Sequence, residues 1–175
     1  MKKVFLTFAK FNEESNRIVA GLLDKMSNDD REKTRKSYFG SLSEFFRHNF
    51  GATIYFLSLY ASAVTGNADA QKALNPLTKV EVFQGKLSED QWKKTVKFSK
   101  IVDKALIDFI GALNDKDFEA PVKVDWFKGK PPSAPLWFML EQQVTHNTHH
   151  RGQISQILDG LKIENNFSGV NVKFI

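Results

Sequence analysis

An all-α four-helix bundle is the fold class that this 175-residue sequence predicts. Three observations predict it: apolar residues recur at three- and four-residue spacing over four long stretches, capping residues open or close most of them, and alternating segments are few. The 42% hydrophobic content and 16 phenylalanines supply a globular interior, and residues 1–175 read as a single domain.

The first stretch covers residues 3–26, where Phe8, Phe11, Ser15, Ile18 and Leu22 form one stripe. Ser27, Asn28, Asp29 and Asp30 stop it and offer caps for a short helical turn reaching Lys36. The second covers residues 41–64, opened by Ser41 or Ser43 after Gly40. It is apolar nearly all round, which places it in the interior, and His48, Ala52, Tyr55 and Leu59 share one of its stripes. Residues 67–87 form a connection that contains Pro76 and a short helical turn. The third helix starts at the cap Ser88-Glu89-Asp90 and runs to Leu113. Residues 120–128 alternate and are bounded by Pro131-Pro132, so they read as a short strand, with the tail from Phe167 as its partner. The fourth helix follows Pro135 and covers residues 136–161.

Composition narrows the function classes. The net charge of +5 is spread along the chain, and its densest cluster, Lys93, Lys94, Lys97, Lys100 and Lys104, has the spacing of a solvated helix face. No nucleic-acid-binding signature accompanies it, so no nucleic-acid partner is expected. Residues 49–68 lack charge over a span long enough for a membrane, but Asn49, Thr53, Ser58, Ser62, Thr65 and Asn67 point to a buried bundle helix instead. No secretory signal is read, because Lys10, Glu13 and Glu14 interrupt the first apolar run. Cysteine is absent, which rules out thiolate ligands and cysteine nucleophiles and fits a cytoplasmic location.

Three of the four histidines fall within residues 145–153, Thr-His-Asn-Thr-His-His-Arg-Gly-Gln. On a helix, His146 and His150 stand one turn apart on one face. That spacing lets two neutral imidazoles share a divalent ion at about 2.0–2.1 Å. His48, in the second helix, is the candidate third ligand, with Glu44 as a substitute. The competing reading of each histidine is a hydrogen-bonded core residue. His149 lies about 100° round the helix from His150 and cannot join the same face. Asn147 occupies the place where a metalloprotease helix would carry its glutamate base. Three nitrogens and no thiolate would leave a coordination position open, and suit zinc, nickel or iron.

The motif Thr145-His-Asn-Thr-His-His-Arg-Gly-Gln-Ile154 resembles the His-x3-His-Arg-Gly-Gln signature of the DinB-like (YfiT-type) metalloenzyme family. Gly40-Ser-Leu-Ser-Glu-Phe-Phe-Arg-His48 resembles the family's helix-two signature, with Tyr55 at the position of a frequent aromatic, and Asn16-Arg17 resembles a feature of helix one. The resemblance implies an up-down-down-up bundle in which His48, His146 and His150 hold one divalent metal in an open pocket, and a homodimer. Arg151 and Gln153 belong to the motif; Arg151 leaves the metal stripe and is expected to pair structurally. Gly152 is expected to permit close packing, and Tyr55 to line the pocket or the core.

Family members of known activity imply a metal-dependent transferase in which a low-molecular-weight thiol cosubstrate attacks a small-molecule electrophile. The alternatives are a hydrolase using metal-bound water and a non-catalytic metal-binding stress-response dimer. The hydrolase needs a base, for which Glu141 is the nominee and an exposed surface role its competitor.

Overall fold

The computed structural model describes residues 1–124, 126, 132–167, 169 and 174. Four long helices dominate it: α1 (Lys2–Leu23), α3 (Leu42–Ala63), α5 (Glu89–Ala112) and α6 (Leu136–Gly160). Two short ones, α2 (Asn28–Glu32) and α4 (Ala68–Ala73), lie in the connections, with single 3₁₀ turns at Asn75–Lys79 and Asp115–Glu119.

The starts of α3 and α5 are set by reciprocal caps. Ser41 accepts from the Glu44 amide while the Glu44 carboxylate accepts from the Ser41 amide, and Ser88 and Gln91 repeat the arrangement. Ser27 caps α2 and Asn67 caps α4 through their side chains.

Side-chain contacts give the direction of each long helix. Trp92 at the start of α5 donates from Nε1 to Asp24 at the end of α1, while Phe5 stacks on Phe118 beyond the end of α5, so these helices run antiparallel. Phe46 meets Trp92 and Tyr60 stacks on Phe109, which makes α3 parallel to α5. His48 meets His150 while the Tyr60 hydroxyl donates to the Met139 carbonyl, which makes α6 antiparallel to α3. The order is therefore up-down-down-up.

The core has two apolar clusters. Phe56, Leu57, Tyr60, Phe109, Ile110 and Leu140 belong to one, and Val19, Leu23, Phe45, Trp92, Ile154 and Leu158 to the other. On every long helix polar residues are buried between the two, with Phe11, Phe50 and Val102 among them: Asn12, Ser15 and Asn16; Asn49 and Thr53; Thr95, Ser99 and Asp103; Gln143, Asn147, His150 and Arg151. A polar belt thus crosses the middle of the bundle.

Three expectations need correction. The second long helix is not interior all round: Tyr55 and Ser58 are exposed, and His48, Ala52 and Leu59 are half-buried at its margin. On α1 the buried stripe is Asn12, Ser15, Asn16, Val19 and Leu23, with Phe8, Ile18 and Leu22 flanking it, because that face meets the belt. Among the described residues of 120–128 the strand is confined to Pro121–Lys123 (β1), which pairs antiparallel with Ser133–Pro135 (β2), in register Val122 to Ala134; the expected pairing with the tail falls outside the described residues. Residues 168, 170–173 and 175 of that tail lie outside the described residues. No helix among the described residues is long and apolar enough to cross a membrane.

Candidate metal centre

The histidines meet at the edge of the belt, between α3 and α6. His48, His146 and His150 each offer a nitrogen, and all three nitrogens lie within 4.8 Å of one another. Nε2 of His48 and Nε2 of His146 are 3.0 Å apart. Two nitrogens bound to one ion at about 2.0–2.1 Å stand about 3.3 Å apart at a tetrahedral angle, so this pair is close to ligand spacing. Ring centroids separate by 4.6 Å for His48 and His150 and 4.5 Å for His146 and His150, at steep interplanar angles. The rings converge edge-on rather than stacking.

Each neighbour serves that convergence. Nδ1 of His150 is 2.6 Å from Gln153 Oε1, and Nδ1 of His146 is 3.3 Å from Asn147 Oδ1. An amide oxygen only accepts, so each Nδ1 carries the proton and each Nε2 keeps its lone pair. Phe39, from the loop before α3, lies over His48 with centroids 4.3 Å apart, and Phe56 meets His146 at 5.9 Å. Burial pushes the His48 imidazole down to about 4, with His150 and His146 adding repulsion. Burial likewise lowers His146 and His150, against the hydrogen bonds they donate to Asn147 and Gln153. All three are neutral at pH 7, the state in which imidazole ligates. These residues fit a divalent ion.

The family assignment now has its independent test. The DinB family model matches residues 1–161. The chain belongs to the DinB family. No curated protein and no solved structure matches it significantly. Family membership and the histidine cluster, which could hold a metal ion, are compatible with a metal-binding protein.

The other nominated residues fall in distinct places. Glu44 does not stand in for His48, because its carboxylate caps α3 and lies 3.7 Å from Arg47. Glu141 and His149 are exposed, the latter with its ring 5.0 Å from that of His150. Tyr55 is 47% exposed and its ring meets Trp126 and Phe56, the second of which reaches His146. Gly152 faces outward, and a Cβ there would meet nothing within 4 Å, so close packing among the described residues does not require it.

Arg151 turns away from the histidines into the belt. Its Nη1 donates to Asn12 Oδ1 at 2.6 Å and reaches Asn16 Oδ1 at 3.5 Å, and Nη2 donates to Thr148. Asn12 and Asn16 in turn donate to Asp103 at 2.9 Å each. Burial raises the Asp103 carboxyl to about 7, against hydrogen bonds from both amides, and lowers Arg151 to about 10. Asn12, Asp103 and Phe39 were not singled out from the sequence, and Asn147 was read only as the residue in the place of a protease's glutamate base. The one signal for Asn12 and Asp103 was polar residues at i and i+4 (Asn12 with Asn16, Ser99 with Asp103) on otherwise core-facing stripes, and Phe39 carried none.

Proposed function

We propose that this chain is a metal-dependent enzyme in which His48, His146 and His150 hold one divalent zinc, nickel or iron ion. We infer that it transfers a low-molecular-weight thiol to a small electrophile. The supporting observation is the donor set: three neutral imidazoles on two helices, His48 and His146 half-buried and His150 buried, with one nitrogen of each within 4.8 Å of the others.

An ion held there supplies Lewis acidity, which lowers the pKa of a thiol or water at its open position. Glu44 lines the cleft beside His48, but its carboxylate accepts from the Ser41 amide and lies 3.7 Å from Arg47, and an engaged base favours the thiol. Free thiols ionise at about 8.5 and water at about 15.7, so a thiol sheds its proton to solvent without help from the chain. The reaction then joins the sulfur to an electrophilic carbon as the leaving group departs. The chain's own part is to orient and enclose: Asn147 and Gln153 hold two imidazole protons away from the centre, and Phe39 and Phe56 cover its sides. A cleft of about 220 Å³ bounded by Phe39, Arg47, His48, Ala52 and Val82 gives a small molecule room beside His48.

The test is turnover of 1-chloro-2,4-dinitrobenzene with a panel of cellular thiols, on protein loaded with zinc, nickel or ferrous iron. Conjugation should require both metal and thiol and vanish in His48→Ala. Conjugation at the same rate in His48→Ala, or metal-dependent ester hydrolysis without thiol, would overturn the reading.

A further inference from the structure

The polar belt carries a direction. The Asp103 carboxylate on α5 accepts from Asn12 Nδ2 on α1 at 2.9 Å, and Arg151, which can only donate, approaches Asn12 Oδ1 at 2.6 Å. Held between a pure acceptor and a pure donor, the Asn12 amide has one orientation. Its oxygen also accepts from Asn147 Nδ2 at 3.1 Å, and Thr53 Oγ1 stands 3.4 Å from the same nitrogen. With its nitrogen so engaged, Asn147 has only Oδ1 to offer His146, whose Nδ1 is 3.3 Å away.

We propose that Asp103, which touches no histidine, is together with Arg151 a positioning residue for the histidine centre: through Asn12 and Asn147 the pair places the proton of His146 on Nδ1 and leaves Nε2 bare to ligate. The proposal rests on the reading of His146 as a ligand. The same carboxylate holds Asn16, whose Nδ2 stands 2.9 Å from Oδ1 and 3.2 Å from Oδ2.

The geometry explains why an asparagine follows the ligand. Adjacent helical residues point about 100° apart, so the acceptor at this position bridges two faces, with its oxygen toward the centre and its nitrogen in the belt. His150 supplies an internal control. Its Nδ1 is held by Gln153, three residues on along the same helix, at 2.6 Å, and does not depend on the belt.

Long-range ¹H–¹⁵N spectra of the metal-free protein near neutral pH read each histidine tautomer directly. Wild type should show His146 and His150 each as a single Nδ1–H form. In the double variant Asp103→Asn with Arg151→Met, neither the one-way acceptor nor the one-way donor on Asn12 remains; His146 should become a mixture of tautomers while His150 stays fixed, and zinc affinity should fall about 10-fold to 100-fold. Asn147→Leu should do the same, and Asn147→Asp, which keeps an acceptor, should retain the His146 tautomer. A general loss of structure would move both histidines together and would overturn the proposal. So would a His146 that stays wholly Nδ1–H in the double variant or in Asn147→Leu. If zinc binds to none of these proteins, the ligand reading falls, while the tautomer spectra still decide the role of Asp103 and Arg151.

Discussion

Two polar clusters share the middle of this bundle and are built on opposite rules. In the Asn12–Asn16–Asp103–Arg151 cluster donors meet acceptors, and the Asn12 and Asn16 amides are partnered at both ends. In the histidine cluster the three nitrogens face one another, and the contact across it joins Nε2 of His48 to Nε2 of His146. A cluster of the first kind completes the protein's own hydrogen bonding and specifies how four helices pack. One of the second kind is left incomplete in a way that a cation would complete. Asn147 joins the two, with one amide end in each.

The comparison breaks most visibly at Arg151. Arg151→Met should destabilise the metal-free protein by about 3 kcal/mol or more, because a buried carboxyl loses its cationic counterpart. The loss should be greater above pH 7, where Asp103 is ionised. His150→Leu in the same metal-free protein should change stability by no more than about 1 kcal/mol, since it gives up one hydrogen bond to a half-buried partner. Urea denaturation of both variants measures the contrast; equal losses would erase the distinction between closed and open clusters.

A smaller effect should appear with pH in the metal-free protein. His48 is held down to about 4 from an ordinary 6.5, and His146 and His150 are lowered too, so the folded chain binds fewer protons than the unfolded one in that window. Their contribution to stability is present above 6.5 and is lost as the pH falls toward about 4. Asp103 works the other way. Raised from 3.8 to about 7, it binds its proton more tightly when folded, so its contribution declines as pH rises through that range. Stability should still climb from pH 4 to 6.5, because three groups oppose one. The climb should be steeper in Asp103→Asn, as urea midpoints across the range would show. A slope unchanged by the substitution would mean that Asp103 does not titrate as the belt requires.

The helices and the ligands were legible in the sequence for a local reason. Caps such as Ser41 with Glu44 and Ser88 with Gln91 act within four residues, and His146 and His150 share a face by spacing alone. His48 could be nominated because it was the remaining histidine. The belt was not legible, because its direction emerges only when Asn12 on α1, Asp103 on α5 and Asn147 and Arg151 on α6 come together. Periodicity averages such polar residues into a core stripe, which is why the first helix was read through Phe8, Ile18 and Leu22. The pairing with Ser133–Pro135 was not legible for a similar reason: composition marks residues 121–123 as extended, but the return of Ser133–Pro135 beside them has no periodic signature.

The account turns on whether the incomplete cluster takes up an ion. The most direct measurement is metal content by elemental mass spectrometry, on protein purified without an affinity tag, beside His146→Ala. We expect close to one equivalent of zinc, nickel or iron per chain, lost in a variant that remains folded and helical. Metal retained at the same level in His146→Ala, or wild-type protein that takes up none of these ions even when they are supplied, would contradict it.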